Sequence, residues 1–403
     1  MKLLFLCTTE FQLLTALNMK YHMYPDDIAD IIVDNYHGEE ATLAERLVKT
    51  KLFRKVCYVN SHYEQKTLHA YLRGTSDGEK TVSFGEALSN TLKFTESRIK
   101  NFLFAEKGYL SVLVNGFDAL NIEEYDEFFA YGGKIVTKKI SVHLRKKNNN
   151  CKVAQIDEGV ASYCYNNVGE VSSLDACFLY EPKARIPAGK TLAIPRLSRS
   201  DRKFIELVNY VFEIDKTQID IGDNDVIFFD QGVEGGMPKY LRNITPIKKI
   251  LFHNAYKRHL KEDQMYRERR QMTKNMLSVF KGKKIWIKPH PRSSEDAISS
   301  YDMFGKNIKV MSQYQVPWEV IALNIELKNA LLVTVTSSSV FLYSSVFDET
   351  YNSKAIVLHK MFTHDVIGEI DAYTEKLQKM YGDEFVVPKD LDAFCDVIGE
   401  IKR

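Results

Sequence analysis

Short apolar runs alternate with stretches of helical period along this chain. The alternation runs twice, with a proline-bearing break between the two rounds. Repeated strand–helix alternation leaves few folds open. Each strand must pair in parallel with a neighbour, and the helices between them must cover both faces of the sheet. In the first round, Lys2–Cys7, Ala29–Val33, Val56–Val59, Glu127–Ala130 and Lys152–Ile156 read as strands. Phe11–Met19 reads as a helix opened by Thr8-Thr9-Glu10, and Glu39–Lys51 and Phe84–Asn101 read as further helices. The pattern breaks over 178–200, where Pro182, Pro187 and Pro195 punctuate basic, irregular sequence. After a helix near 201–213 it restarts, with strands at Asp225–Phe229, Lys284–Lys288, Leu331–Val335 and Ala355–Leu358. Helices are expected at Gln264–Phe280, Trp318–Ile325 and Leu391–Ile401, and Val340–Ser345 reads as the start of another.

A length of 403 residues exceeds one ordinary core and suits two α/β domains of similar size. The division expected is 1–195, a linker over 196–222, a second domain over 223–385, and a closing helix over 386–403. Two doubly wound domains with a cleft between them would bind ligands at the carboxyl ends of their strands. A net charge of +2 gives no global field for nucleic acid. The cysteines form no C-x-x-C pair and no zinc-finger spacing with histidine, so they read as buried thiols in a reducing cytoplasm. The apolar start is followed at once by Glu10 and Gln12, so a buried first strand explains it better than a leader peptide. No stretch reaches the length of roughly 20 apolar residues that spans a bilayer.

Three short motifs each follow an expected strand. Ile156-Asp157-Glu158-Gly159 ends the strand Lys152–Ile156. Two carboxylates before a glycine read either as a surface turn or as a general base at the mouth of a cleft. Trp286-Ile287-Lys288-Pro289-His290-Pro291-Arg292 holds a histidine between two prolines, each of which fixes its own φ and restricts its predecessor. That stiffness suits a catalytic imidazole, and Lys288 and Arg292 suit a phosphate; a rigid loop exit is the plainer reading. Thr334-Val335-Thr336-Ser337-Ser338-Ser339-Val340 places hydroxyls and backbone N–H groups on a turn between strand and helix. This fits an anion site as well as a simple serine cap.

Two weaker features accompany these motifs. The loop Asp230-Gln231-Gly232-Val233-Glu234-Gly235-Gly236 could let backbone approach a nucleotide at Gly232 or simply flex. Glu319, early in the helix after Pro317, suits the helix dipole whatever its function. Phosphate-loop, dinucleotide-binding and zinc-protease signatures are missing. Asp223-Asn224-Asp225 precedes a strand and reads as a turn, not as a metal-holding D-x-D. Without a metal, charge on a departing phosphate would fall to His290, hydroxyls and backbone amides.

The ordered set Asp157-Glu158-Gly159, His290-Pro291 and Ser337-Ser338 resembles the three short motifs shared by several bacterial sialyltransferase families. Within that group the chain is most similar to glycosyltransferase family 52, also through Thr8-Thr9-Glu10-Phe11-Gln12-Leu13-Leu14 and Gln315-Val316-Pro317-Trp318-Glu319-Val320. The resemblance implies a GT-B fold, with the nucleotide on the C-terminal domain and the acceptor on the N-terminal one. It implies transfer of sialic acid from CMP-sialic acid to a glycan hydroxyl, with inversion and without a metal or other cofactor. Asp157 would be the base, with Glu158 beside it as the other acid. His290 would donate to the leaving phosphate, which Ser337 and Ser338 would hold, with Ser339 as a substitute. Glu319 would contact cytosine or ribose, and Lys288, Pro289 and Gly232 would line the nucleotide site.

A Kdo transferase using CMP-Kdo shares this chemistry. A teichoic-acid-type glycerophosphotransferase also carries His-Pro and serines, here at Ser344-Ser345, but those would lie inside a helix. A UDP-sugar transferase and a non-catalytic glycan- or nucleotide-binding module of the same fold are further alternatives. The expected partners are a CMP-sugar donor and a glycan acceptor, with no nucleic acid. The expected setting is cytoplasmic. Peripheral contact with the plasma membrane, through basic clusters such as Arg145-Lys146-Lys147 and Arg267–Arg270, stays open, as does a homodimer.

Overall fold

Every strand pairing in the computed structural model is parallel among the residues it describes, which are 1–34, 40–59, 125–131, 135–165, 174–230, 271, 273–280, 282–291, 293, 298, 301, 307–361 and 370–401. The expected helix 84–101, residues 264–270 and 272 of the expected helix 264–280, Gly232 with the rest of 231–236, Arg267–Arg270 and Arg292 lie outside the described residues. The chain forms two units. The first holds Met1–Glu158, Asn166–Leu179 and Gly189–Pro195; the second holds Gly159–Tyr165, Tyr180–Ala188 and Arg196–Arg403.

Among the described residues the first unit holds seven strands: β1 (Lys2–Cys7), β2 (Ile28–Asp34), β3 (Lys55–Val59), β4 (Glu127–Ala130), β5 (Lys152–Ile156), β6 (Ala176–Leu179) and β7 (Thr191–Ala193). Their order is β3-β2-β1-β4-β5-β6-β7, so the winding reverses between β1 and β4. Continuous apolar runs such as Leu3–Cys7 are what a strand covered on both faces requires. Helix α1 (Glu10–His22) follows β1 and starts at Thr9, whose side chain accepts from the Gln12 N–H. Helices α2 (Glu40–Thr50) and α3 (Ile135–Lys147) complete the alternation. Leu4, Leu6, Phe128 and Val153 pack against Ile140 and Leu144 of α3. At the basic end of α3, Arg145 pairs with Asp175 at 2.7 Å.

The second unit opens with a short helix, α4 (Val160–Cys164), whose Tyr163 stacks on Tyr373 at 5.3 Å. Its sheet comprises β8 (Val226–Phe229), β9 (Ile285–Lys288), β10 (Ile308–Val310), β11 (Leu331–Thr334), β12 (Lys354–Val357) and β13 (Phe385–Val386). The order β10-β9-β8-β11-β12-β13 reverses between β8 and β11. Both units are thus doubly wound, as the α/β, GT-B reading of the sequence expects. Helices α5 (Arg202–Phe212), α6 (Trp318–Ala322), α7 (Ser338–Phe341), α8 (Tyr343–Val346), α9 (Ile370–Tyr381) and α10 (Leu391–Ile401) complete this unit. In α10, Phe394 and Ile398 join the core of β8, β9 and β11, and Phe394 meets Phe280 edge-on at 5.6 Å. No helix among the described residues is long and apolar enough to cross a membrane.

One correction to the sequence reading concerns an irregular stretch. The break over 178–200 contains strand β7 and borders β6, because single residues between the prolines still complete ladder bonds such as Ile194 N–H to Leu179 O. The helix expected near 201–213 is present as α5, which packs on α6, with Asn209 and Asn324 exchanging side-chain amide bonds at 2.8 and 2.7 Å.

Arg199 anchors the expected linker segment within the second unit. Its buried guanidinium donates to the backbone oxygens of Ala322, Ile325 and Glu349 and to the Tyr343 hydroxyl. It also lies over the rings of Phe347 and Tyr351, at 4.6 and 5.0 Å. A buried cation is tolerable only when its donors are met, and here three carbonyl oxygens depend on one side chain. Arg199→Ala is therefore expected to lower unfolding free energy by about 3 kcal/mol in chemical denaturation, with Arg199→Lys recovering little because it lacks the planar fork. A loss below about 1 kcal/mol would show that the carbonyls find other partners.

Candidate active site

Parallel strands deliver their carboxyl ends to one edge, and in the second unit that edge collects the His-Pro and serine motifs. Lys288, Phe229, Thr334 and Val357 stand level across β9, β8, β11 and β12. His290 lies two residues past that level on one flank, with Asp230 and the serine turn beside it, and His359 lies two residues past it on the other. Strands about 4.8 Å apart put these groups along one crevice edge.

The His-Pro loop leaves β9 abruptly. Pro289 is buried and has no N–H to extend the ladder. The half-buried His290 is turned at once, its carbonyl accepting from the Ser293 N–H at 2.8 Å. Lys288 is buried, and its ammonium donates to the Tyr314 carbonyl.

The serine turn is wound onto Thr334. The Thr334 hydroxyl donates to Phe229 O at 3.0 Å and accepts from the Ser337 N–H at 2.8 Å. Ser337, at the N-cap of α7, makes no side-chain cap bond to that helix. With Ser338 and Ser339 it is partly exposed. The turn also meets the start of α4. The Val160 N–H donates to Ser338 Oγ at 3.3 Å. Gly159 has φ +115°, and a Cβ built there would stand 2.6 Å from Ser338 Oγ. Only glycine satisfies both the backbone and the space.

Glu319 is the buried acid of this edge. Burial pushes its carboxyl above the usual carboxylate range, and its own backbone N–H, the Ser339 hydroxyl and the Lys288 ammonium partly offset that push. Lys288, Glu319 and Ser339 therefore form one polar cluster, fed from β9, α6 and the turn after β11.

Asp157 and Glu158 belong to the first unit, immediately past β5. Asp157 is fully buried, and Glu158 is half-buried. The unit boundary falls between Glu158 and Gly159, inside the acidic motif. Gly232 lies outside the described residues. Asp223-Asn224-Asp225 is a turn, with Asn224 at φ 63° and Asp225 accepting from Gly222 N–H and Trp286 Nε1. Ser344 and Ser345 are buried within α8.

Two contributors escaped the sequence reading. Thr334 anchors the serine turn; a threonine ending an apolar strand just before a run of hydroxyls was the available signal. His359, bonded through Nε2 to Asp371 at 2.8 Å, follows β12 as His290 follows β9. Among the described residues, no three or more His, Cys, Asp or Glu side chains group to hold a metal ion.

The family comparison decides what kind of enzyme this edge belongs to. The model of the alpha-2,8-polysialyltransferase family matches residues 4–351. The chain belongs to that family. It is a glycosyltransferase of the sialyltransferase kind, in keeping with the resemblance in its three motifs; the sequence reading placed it nearest family 52 within the sialyltransferases. No curated protein matches. Among solved structures, UGT89C1 of Arabidopsis thaliana complexed with UDP is 8% identical, with 100% of this chain and 91% of that chain covered and a TM-score of 0.49. A putative UDP-N-acetylglucosamine 2-epimerase from Listeria monocytogenes is 8% identical over 100% and 87%, with a TM-score of 0.45. CalG4, the calicheamicin glycosyltransferase, is 8% identical over 99% and 89%, with a TM-score of 0.46. At that distance nothing about substrate or chemistry transfers from these structures to the polysialyltransferase-family chain.

The buried Glu319 gives a pH prediction. Its folded-state pKa is raised, so between the unfolded and folded values the native state holds a proton that the unfolded chain has lost. Its contribution to stability is full below the unfolded value and is lost as pH rises through the folded value. Glu319→Gln, measured by denaturant unfolding, should gain stability relative to the parent between pH 4 and pH 8. A difference that stays flat across that range would contradict the assignment.

Proposed function

We propose that this chain is an inverting, metal-independent sialyltransferase that moves sialic acid from CMP-sialic acid to a hydroxyl of a bacterial surface glycan. The family name favours position 8 of a terminal sialic acid as that hydroxyl, on a capsule or lipooligosaccharide chain extended at the cytoplasmic face. In this reading the first unit takes the acceptor and the second the nucleotide, as the resemblance implies.

The observation that supports this reading is the carboxyl edge of the second unit, where the loop after β9 brings a proline-pinned imidazole and the loop after β11 a hydroxyl-rich turn to the same edge, the kinds of group a phosphate ligand needs. Asp157 stands two residues before Gly159 in the chain, and Gly159 rests on that turn. In the reaction, Asp157 accepts the proton of the acceptor hydroxyl as its oxygen attacks C2 of the donor. The C2–O bond to CMP breaks, and His290 gives its proton to the departing phosphate. The serine turn and Lys288 meet the remaining phosphate charge without a metal. Ser344-Ser345, the pair that would favour a glycerophosphotransferase, lie within helix α8 and not on the turn after β11.

Ligand protection and two variants test this reading. CMP and CMP-sialic acid should raise the thermal midpoint, whereas CDP-glycerol and UDP-sugars should not, because only a ligand held by the folded form shifts that equilibrium. Protection by CMP-Kdo in preference to CMP-sialic acid would reassign the donor. Asp157→Ala should abolish transfer while retaining CMP binding. His290→Ala should slow transfer on the order of 10²-fold. Full activity in either variant would overturn the roles given.

A further inference from the structure

The three hydroxyls of the serine turn are not equivalent. Ser339 faces the buried Glu319, where its hydroxyl partly offsets the upward push of burial on the carboxyl. Ser338 Oγ receives the Val160 N–H at 3.3 Å, and its Oγ and Cβ lie 2.6 and 2.7 Å from where a Cβ on residue 159 would stand. Ser337 is tied to Thr334 only through its backbone N–H, and its side chain makes no cap bond to α7.

We propose that the turn divides its labour: Ser337 meets the donor phosphate, while Ser338 is a positioning residue that seats Gly159 and Val160. This rests on the reading of Asp157 as base and the turn as phosphate site. Gly159 and Val160 are the two residues that follow the acidic pair in the chain, so whatever holds them limits where the base can stand. Ser338 holds them in two independent ways. It accepts one backbone N–H, and it fills the space that any side chain at 159 would need. A Cβ contact below 3.0 Å cannot persist, so alanine at 159 must displace Ser338, the Gly159 turn or both. The left-handed φ of +115° adds a further penalty for any L residue there. Positional errors of this kind appear in rate before they appear in donor affinity.

The test compares Ser337→Ala, Ser338→Ala, Gly159→Ala and the double variant Gly159→Ala/Ser338→Gly in the full chain. Ser337→Ala should weaken CMP binding about tenfold, the usual effect of removing one hydrogen bond to a charged group. Ser338→Ala should keep CMP affinity within about twofold and lower kcat for transfer about tenfold. Gly159→Ala should lower kcat on the order of 10²-fold, and adding Ser338→Gly should restore at least about tenfold of that by removing the clash. The proposal is overturned if Ser338→Ala weakens CMP as much as Ser337→Ala does, if it changes neither quantity, or if the 159 and 338 changes add independently. If Gly159→Ala does not fold, the two serine variants decide. Should the parent bind no CMP, the sialyltransferase reading fails. The 159–338 coupling would then still be read from thermal unfolding, where non-additivity supports the seat and additivity removes it.

Discussion

Parallel pairing is the constraint on which the rest of this molecule depends. A parallel ladder needs a crossover for every strand, so helices cover both faces and strands are apolar along their whole length. The same geometry sends all carboxyl ends to one edge. In the second unit, His290, Asp230, the serine turn and His359 owe their common edge to this rule, although they are far apart in sequence. The reversal of winding between β8 and β11 opens the crevice where ligands of doubly wound sheets bind.

Polar groups at that edge are settled by local partners that a sequence does not announce. Thr334 is spent on holding the serine turn against β8, and the Ser339 hydroxyl and Lys288 ammonium partly offset the burial of the Glu319 carboxyl. Arg199 gives its donors to three carbonyls and a hydroxyl, in place of the exposed, basic linker residue its neighbourhood suggests. Each arrangement lowers the cost of burying charge or amide, and each fixes a segment that carries site residues.

What was legible in the sequence follows from the same physics. Lys2–Cys7, Glu127–Ala130, Lys152–Ile156 and Leu391–Ile401 match the observed elements end to end, because an apolar run bounded by polar residues has one plausible pairing state or one helical face. The strands β6, β7, β10 and β13 were not read. β7 and β10 have no buried residue and β13 is two residues long, so neither alternation nor a continuous apolar run marks these three; β6 is a buried apolar run of four residues. The helix expected to start over Val340–Ser345 is two short helices meeting at Leu342, a break with no proline or glycine to signal it. The motifs themselves were legible as residues after strands. That Gly159 would rest on Ser338, or that the unit boundary would split the acidic motif, depends on contacts distant in sequence.

The central claim is that this polysialyltransferase-family chain uses CMP-sialic acid to lengthen a sialylated glycan. The most direct measurement is mass spectrometry of an oligosialylated acceptor after incubation with purified protein and CMP-sialic acid in excess chelator. The account predicts products longer by whole sialic acid residues, with one CMP released per residue added. Donor consumption without lengthening, or lengthening only with another nucleotide sugar or only after a divalent metal is restored, would contradict it.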